Sequence, residues 1–572
     1  MTDIASIDRR NAGGKRWLGL AMLSLGTSMI IVDATIVNVA APSIINDLKI
    51  DSSTAEWVNT VYSLVFAALL ITAGRLGDTL GRRKFYLSGL GVFIVASILA
   101  GVADSGAMLV GARILQGVGG AMILPNTTSI LNNNFRGRDR AIAFGVWGAT
   151  IGGMAAIGPL LGGYLTTYHS WRWAFFINIP IGLLACIGTL YFIRESRDEN
   201  AHVGFDFPGF VLVSFGLGSF VFGLIEGRTY GWWTPTHTFS VLGNEWPLSS
   251  VSTTPFALVA GVLALVLFAR VEMARKRKGR FFLFDFSLWH YRGFRYGNLA
   301  GTIVSLGEFG LLFALPLFLQ ATLGYDAFHT GLAFLSLALG SFVSAGGAAP
   351  ISKSRGPRAV VRIGMALEVI GIAGSTALIS RDISSLMLAI PLFIYGMGVG
   401  FASAQLTSIV LAEIPLGSSG LASGANTTVR QVGSGLGIAI LGTVLFSSLV
   451  TIGDANLQDR VPSMSATCRD LVTTLVDESA GQVIPAFRDP SAMSGGFVGT
   501  LPAEQVACFR DPAFTSALPE AAEAMDDAFV SAARFAGLAA SLFVLVGLIM
   551  SLLLPPDAKH EDDELHEVSA TA

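Results

Sequence analysis

Charge is scarce in this chain. Only 13% of its 572 residues are Asp, Glu, Lys or Arg, against about 25% in soluble domains, while 52% are hydrophobic and the mean hydropathy is +0.62. That composition excludes an ordinary soluble enzyme and implies an integral membrane protein. Cysteine is scarcer still: Cys186 lies in an apolar run, and Cys468 and Cys508 lie in the one long polar segment. Three are too few for a disulfide framework or a zinc site. None of the seven His falls mid-helix or pairs with Cys or a carboxylate at ligand spacing, so no metal is expected. A G-x-x-x-x-G-K-[ST] phosphate loop is missing, which argues against direct ATP use. No long basic run with interleaved aromatics points to a nucleic-acid partner. The first apolar run, Trp17 to Ala41, is too long for the core of a secretory leader and lacks a cleavage site.

Long apolar runs are what the chain has. Reading windows of about 18 residues or more as spans gives fourteen: 17–41, 54–73, 85–103, 108–131, 142–165, 173–193, 207–227, 255–270, 294–321, 330–351, 360–380, 385–411, 421–450 and 528–554. Segments on the amino-terminal side of the membrane hold 26 of the 37 basic residues, which predicts that both termini face the cytoplasm of a cell membrane. The chain then divides into a tail (1–16), a six-helix bundle (17–193), a linker with two inserted helices (194–293), a second six-helix bundle (294–554) carrying an outer loop (451–527), and a second tail (555–572).

The halves echo each other. "GRLGDTLGRR" (74–83) aligns with "APISKSRGPR" (349–358), placing Gly81 against Gly356 and Lys353 where the first copy has Asp78. Likewise "FGVWGATIGG" (144–153) aligns with "SGANTTVRQV" (423–432), with Arg430 opposite Ile151. Repeats of this kind are a transporter signature, with the substrate site near the midplane between halves.

On these motifs the chain resembles the major facilitator superfamily. The loop between spans two and three matches that family's pattern at Gly74, Leu76, Asp78, Gly81, Arg82 and Arg83, which implies a gating latch on the cytoplasmic side. Asp78 also suits the positive end of the helix that follows it. "LVGARILQGVGGAM" (109–122) is similar to the family's fourth-helix motif through Arg113 and Gln116. "GATIGGMAAIGPLLGG" (148–163) is similar to the motif of its antiporters, through Gly148, Gly152, Gly158, Pro159, Gly162 and Gly163. With fourteen spans, "VDATIVNVAAP" (32–42) and "SWRWAFFINIPIG" (170–182) resemble the drug:proton antiporter branch. The resemblance implies an all-α major facilitator fold of two six-helix bundles plus two inserted helices. It implies a proton-driven exporter of cationic or neutral amphipathic molecules, or one dedicated to a single natural product, metabolite or lipid. A monomer in the lipid bilayer is expected, with the proton gradient in place of a cofactor; a non-transporting sensor built on the fold is the remaining alternative.

Buried ionisable residues mark function in membrane helices. Asp33 in span one and Arg113 in span four lie within about 5 Å of the same depth at 1.5 Å per residue, so they are expected to meet. Asp33, tuned by Arg113, is the first proton site and Glu308 in span nine the second. By family analogy both helices line the central cavity, as do the polar residues Asn38, Gln116, Gln320 and Gln405. Arg430 is a further candidate for the substrate cavity, to bind a carbonyl cluster, a substrate anion or an acidic partner. Glu226 is expected to meet headgroups or water, and Glu368 to be structural or to snorkel. In the outer loop, a Cys468–Cys508 disulfide is chemically permitted, and the loop is a candidate exit cap or docking site for an envelope partner.

Overall fold

A computed structural model of the chain describes residues 2–50, 52–197, 206–227, 229–236, 238–241, 244–248, 250–479, 481–488 and 503–555. Among the described residues, fourteen helices are long and apolar enough to cross a membrane. A helix is the form such runs must take, because hydrocarbon offers the backbone no partner and each N–H must bond within its own segment. The first half comprises α1 (Thr2–Leu48), α2 (Ser52–Leu80), α3 (Arg82–Gly101), α4 (Gly106–Asn134), α5 (Gly137–Tyr168) and a sixth span broken at Ile177 into α6 (Trp173–Phe176) and α7 (Asn178–Phe192). The inserted pair is α8 (Phe207–Ile225) and α9 (Thr253–Arg277). The second half comprises α10 (Arg292–Ala321), α11 (Ala327–Arg355), α12 (Pro357–Leu378), α13 (Ser385–Ala412), α14 (Ser419–Arg460) and α18 (Pro512–Met550). The face where α1 starts and α18 ends is called the terminal face below, and its opposite the far face.

Several boundaries differ from the sequence reading. The expected first tail is helical from Thr2, and the short eighth span is a full 25-residue helix. Polar ends explain both, since helices outlast the apolar window that identifies them. Side-chain caps fix many starts: Asp206 accepts from Gly209 N (2.9 Å), Asp326 from His329 N (2.7 Å) and Asp511 from Ala513 N (2.9 Å). His329 Nδ1 also meets Asp326 at 2.7 Å, so one His does pair with a carboxylate, as part of a helix cap rather than a metal site.

The two halves repeat each other in space as well as in sequence. Gly81 and Gly356 both hold positive φ (110° and 80°), and each directly precedes the helix after the latch loop. Their N–H groups bond four residues back, to Gly77 O (3.1 Å) and Ser352 O (2.9 Å). Only glycine takes that conformation cheaply, which is why both copies keep it. Helices α8 and α9 pack together beside the seam where α2 of one half meets α14 of the other. Trp57 of α2 stacks on Phe222 of α8 at 6.0 Å. An apolar cavity there is lined by Ile71, Val213, Phe268, Trp289 and Val429.

The segment 451–527, read from sequence as a polar loop, is largely helical where described. α14 continues to Arg460, α15 (Ala466–Glu478), α16 (Ile484–Arg488) and α17 (Ala503–Arg510) follow, and α18 starts at Pro512. Leu471, Val472, Ile484 and Phe487 are buried in the same core as Leu518 and Phe529. The segment is thus a cap folded onto the far face of the second half. Arg488 Nη2 fastens it to Thr322 O (2.7 Å) and to Asp526 (2.7 and 2.9 Å), and Cys468 is disulfide-bonded to Cys508. Closing a loop of 40 residues stabilises a fold by about 3–4 kcal/mol in the chain-entropy picture. Changing both cysteines to Ser is therefore expected to loosen the cap while leaving the transmembrane helices intact. Hydrogen exchange faster in 461–479 than in wild type, with unchanged protection in α10 and α14, is the result that checks it.

Candidate functional site

Three polar clusters stand out against the apolar packing. The first fills the interior of the first half. Asp33, fully buried on α1, faces α3, α4 and α7. Arg113 Nη1 donates to Asp33 Oδ2 at 2.5 Å and to Gln116 Oε1 at 2.8 Å, and its Nε donates to Val58 O at 3.0 Å. Its guanidinium also lies 4.2 Å from the ring centroid of Tyr62. Gln116 Nε2 and Asn178 Nδ2 donate to Asp33 Oδ1 at 2.9 and 2.7 Å, and both also donate to Ser97 Oγ. The carboxylate thus holds a full set of partners, which is what a buried charge requires.

Two expectations change here. Asp33 points into its own bundle rather than into open space between the halves. Gln116, expected in a substrate cavity, spends its amide on Asp33, Arg113 and Ser97. Asn178 and Ser97 went unread in the sequence. Asn178 had a signal, as a lone amide in an otherwise apolar sixth span; Ser97 had none, because serine is common in membrane helices.

The second cluster lies in the second half. Arg430 Nη2 sits 3.6 Å from Glu308 Oε2 and donates to Ser403 Oγ at 3.0 Å. Ser403 Oγ in turn donates to Glu308 Oε1 at 3.4 Å, and Tyr395 OH donates to Glu308 O at 3.2 Å. Of the three partners open to Arg430, the structure gives it the acidic one. Gln405 is fully buried two residues beyond Ser403. Gln320, in contrast, is half-buried one residue before α10 ends, about 18 Å along the helix from Glu308. The side chain of Asn38 lies outside the described residues. Glu226 is 4% exposed at the end of α8, and Glu368 is 0% exposed. Both side chains are buried in the protein rather than open at its surface, and Glu368 packs against Gly398 of α13.

The third cluster joins the halves at the terminal face. Asp78, fully buried, accepts from Gly420 N (3.0 Å) and Leu421 N (2.9 Å), the first turn of α14. Arg82 Nε and Nη2 donate to the same carboxylate at 2.8 and 2.6 Å. Asp78 was expected to serve the helix that follows it; it serves a helix of the other half instead. The start of α3 is capped by Glu195, which accepts from Arg83 N and Lys84 N at 3.0 Å each, while Arg83 Nη1 donates to Ile193 O. A Cβ on Gly74 would collide with the Gly420 carbonyl, so glycine there allows the backbones to touch. Thr128 with Ser423, Asn132 with Ser419 (2.8 Å) and Arg140 with Ser408 O (2.6 Å) complete the seal. None of these last six was singled out by sequence, since contacts across some 270–295 residues leave no local pattern.

The glycine motif of α5 sits at two crossings. A side chain at Gly158 would strike Thr35 of α1, and one at Gly152 would strike Ser341 of α11 in the other half. Gly148, Gly162 and Gly163 are buried, and Pro159 lies within the helix. One stripe therefore packs α5 against both halves.

With this geometry in place, comparison with known proteins is informative. The sequence profile of the Major Facilitator Superfamily matches residues 23–208 and 202–438. The puromycin resistance protein pur8 of Streptomyces alboniger is 34% identical over 437 residues, 75% of this chain and 82% of that protein. A probable actinorhodin transporter of Streptomyces coelicolor is 30% identical, covering 78% of this chain and 75% of that one. The multidrug transporter protein MdtP of Bacillus subtilis is 28% identical over 98% of this chain and 97% of its own. Among solved structures, the human organic anion transporter MFSD10 superposes with a TM-score of 0.51 at 14% identity, over 75% of this chain and 93% of that one, a likeness of fold alone. These relatives are transporters and not enzymes, and this multi-pass membrane protein belongs to the Major Facilitator Superfamily.

Proposed function

We propose that this transporter exports amphipathic small molecules, cationic or neutral, in exchange for protons, by alternating access across a cell membrane with its terminal face in the cytoplasm. The observation that carries the reading is the Asp33–Arg113 cluster, a membrane-buried carboxylate held by a guanidinium and two amides. Burial and a neighbouring cation act on a carboxylate in opposite senses. A rearrangement that separates the pair therefore changes how readily Asp33 binds a proton. Glu308 beside Arg430 repeats the arrangement in the second half and serves as the second proton site. One proton moving down about 150 mV supplies roughly 3.5 kcal/mol, enough for a substrate gradient of a few hundred-fold.

The Asp78 cluster is the latch of such a cycle, closed on the cytoplasmic side. Basic residues concentrated on the terminal face support that orientation. A second reading, a pump dedicated to one natural product, is favoured by relatives named for puromycin and actinorhodin, whereas MdtP is named for many drugs. The test of both is substrate-triggered proton movement in proteoliposomes over a panel of compounds. Alkalinisation or acidification tied to several unrelated amphipaths supports the broad pump, and a response to one scaffold supports the dedicated one. No proton movement with any transported substrate sinks the antiport reading.

A further inference from the structure

Glu368 is a buried acid that the cycle above does not use. It sits at the middle of α12 and is 0% exposed, with its Cγ against α13 at Gly398. Among the described residues, neither of its carboxyl oxygens has a hydrogen-bond partner. The helices packed on α12 offer few charges at this depth. On α13 the titratable neighbour is Tyr395, whose OH is directed at Glu308 O. The ionisable side chains of α11, His329, Lys353 and Arg355, stand at its two ends. On α18, Arg534 Nε is engaged with Ile379 O at the far end of α12, and Asp526 and Asp527 lie beyond it at the far face. Helix α13 brings Glu308 and Arg430 to this depth: Tyr395 lies against Gly371 of α12 and donates to Glu308 O, Ser403 bonds both Glu308 and Arg430, and Gly398 between them meets Glu368.

The charge count of this site is therefore two acids and one base. Arg430 is already paired with Glu308 at 3.6 Å and bonded to Ser403. An ionised Glu368 would be a second anion without a donor in an apolar wall, which is strongly unfavourable even after relaxation. A single proton removes that cost. Nearby carboxyls that cannot both ionise behave as one titrating unit.

We propose that Glu308 and Glu368 form a two-carboxyl proton site in the second half, in which Glu368 carries a proton while Arg430 holds Glu308 ionised. Withdrawing Arg430 from Glu308 leaves one negative charge on the pair, and a second proton entering from water neutralises it. The site thus alternates between one proton with Arg430 engaged and two with Arg430 withdrawn. This rests on the transport reading only for its place in the cycle.

Infrared difference spectroscopy of the purified full chain in nanodiscs, at neutral pH and with hydrogen–deuterium exchange, tests the site without any transport assay. Wild type is expected to show a protonated-carboxyl C=O component that Glu368→Gln removes and that Asp33→Asn and Glu272→Gln leave in place, since Glu272, itself buried, contributes a component of its own. Glutamine matches the neutral acid in shape, so the variant should fold; its elution and thermal unfolding midpoint check that. In Arg430→Met the same band region is expected to gain a second component equal to the one that Glu368→Gln removes, as Glu308 joins Glu368 in holding a proton. A band unaltered by Glu368→Gln, or no gain in Arg430→Met, overturns the proposal. Failure of antiport with both band changes present would sink the transport reading and leave the site standing.

Discussion

Asp33→Asn is expected to abolish proton-coupled export while the protein remains folded. Asparagine keeps an oxygen for Arg113 and nearly the same volume, so packing of α1 against α3, α4 and α7 survives. What it removes is the negative charge that balances a fully buried guanidinium. Breaking one partner of a buried pair costs about 3–5 kcal/mol, and only the Arg113 bond is retained, because the asparagine amide nitrogen cannot accept from Gln116 Nε2 and Asn178 Nδ2 as Oδ1 does. In proteoliposomes with an imposed pH gradient, the few-hundred-fold substrate gradient that the proposed antiport would give wild type should collapse to near unity, with downhill substrate exchange retained. Pairing it with Arg113→Gln should recover part of the lost stability, because the orphaned charge is gone; the coupling energy of that cycle measures the interaction. Full coupling in Asp33→Asn would remove Asp33 from the proton path.

Asp78→Ala is expected to have the second large effect, on conformation rather than chemistry. It strips two N–H groups at the start of α14 of their acceptor and takes from Arg82, 1% exposed, the carboxylate to which its Nε and Nη2 donate. The loss of the two backbone bonds falls only on the state in which the halves are joined at the terminal face, so it acts as a population shift, whereas the Asp78–Arg82 pair lies within the first half and is lost in both states. A penalty of about 3 kcal/mol is roughly 150-fold, enough to open a closed seal. Spin labels at the exposed positions Arg136 and Arg355, one on each half, should report a longer distance in Asp78→Ala than in wild type. Asp78→Asn, which still accepts a bond from one backbone N–H, should fall between them. An unchanged distance distribution in both variants would show that the seal rests on Thr128, Asn132 and Arg140 instead.

Much of the architecture was legible because membranes impose a simple code. An apolar run of sufficient length must become a helix, and the bias of Lys and Arg counts the crossings. The Asp33–Arg113 contact was also legible, since depth along two antiparallel helices depends only on rise per residue. What the sequence hid is lateral. Nothing in "GRLGDTLGRR" says that Asp78 reaches across to Gly420 and Leu421, because the partner lies some 340 residues away and contributes backbone, not a recognisable side chain. Of the two expectations for Glu368, structural or snorkelling, the second fails for a related reason. A lone glutamate in an apolar run reads as a snorkelling residue unless its angular position on the helix is known, and its face turned out to be the one packed on Gly398. The outer segment misled because its helices are amphipathic and short, so their apolar side chains are diluted among polar ones until the fold brings them together.

The inserted helices give the molecule a handed exterior. Two seams run where the halves meet the bilayer, and α8 with α9 covers the one formed by α2 and α14. At the other, α11 presents Leu332, Leu339 and Val343 and α5 presents Tyr164 outward, and among the described residues no added helix covers them. A hydrophobic molecule diffusing within the membrane therefore meets a screened flank and an unscreened one. If cargo is drawn sideways from the leaflet, it has a single doorway, and a bulky residue installed along the α5–α11 flank would bar it where the same change on the α2 side would not.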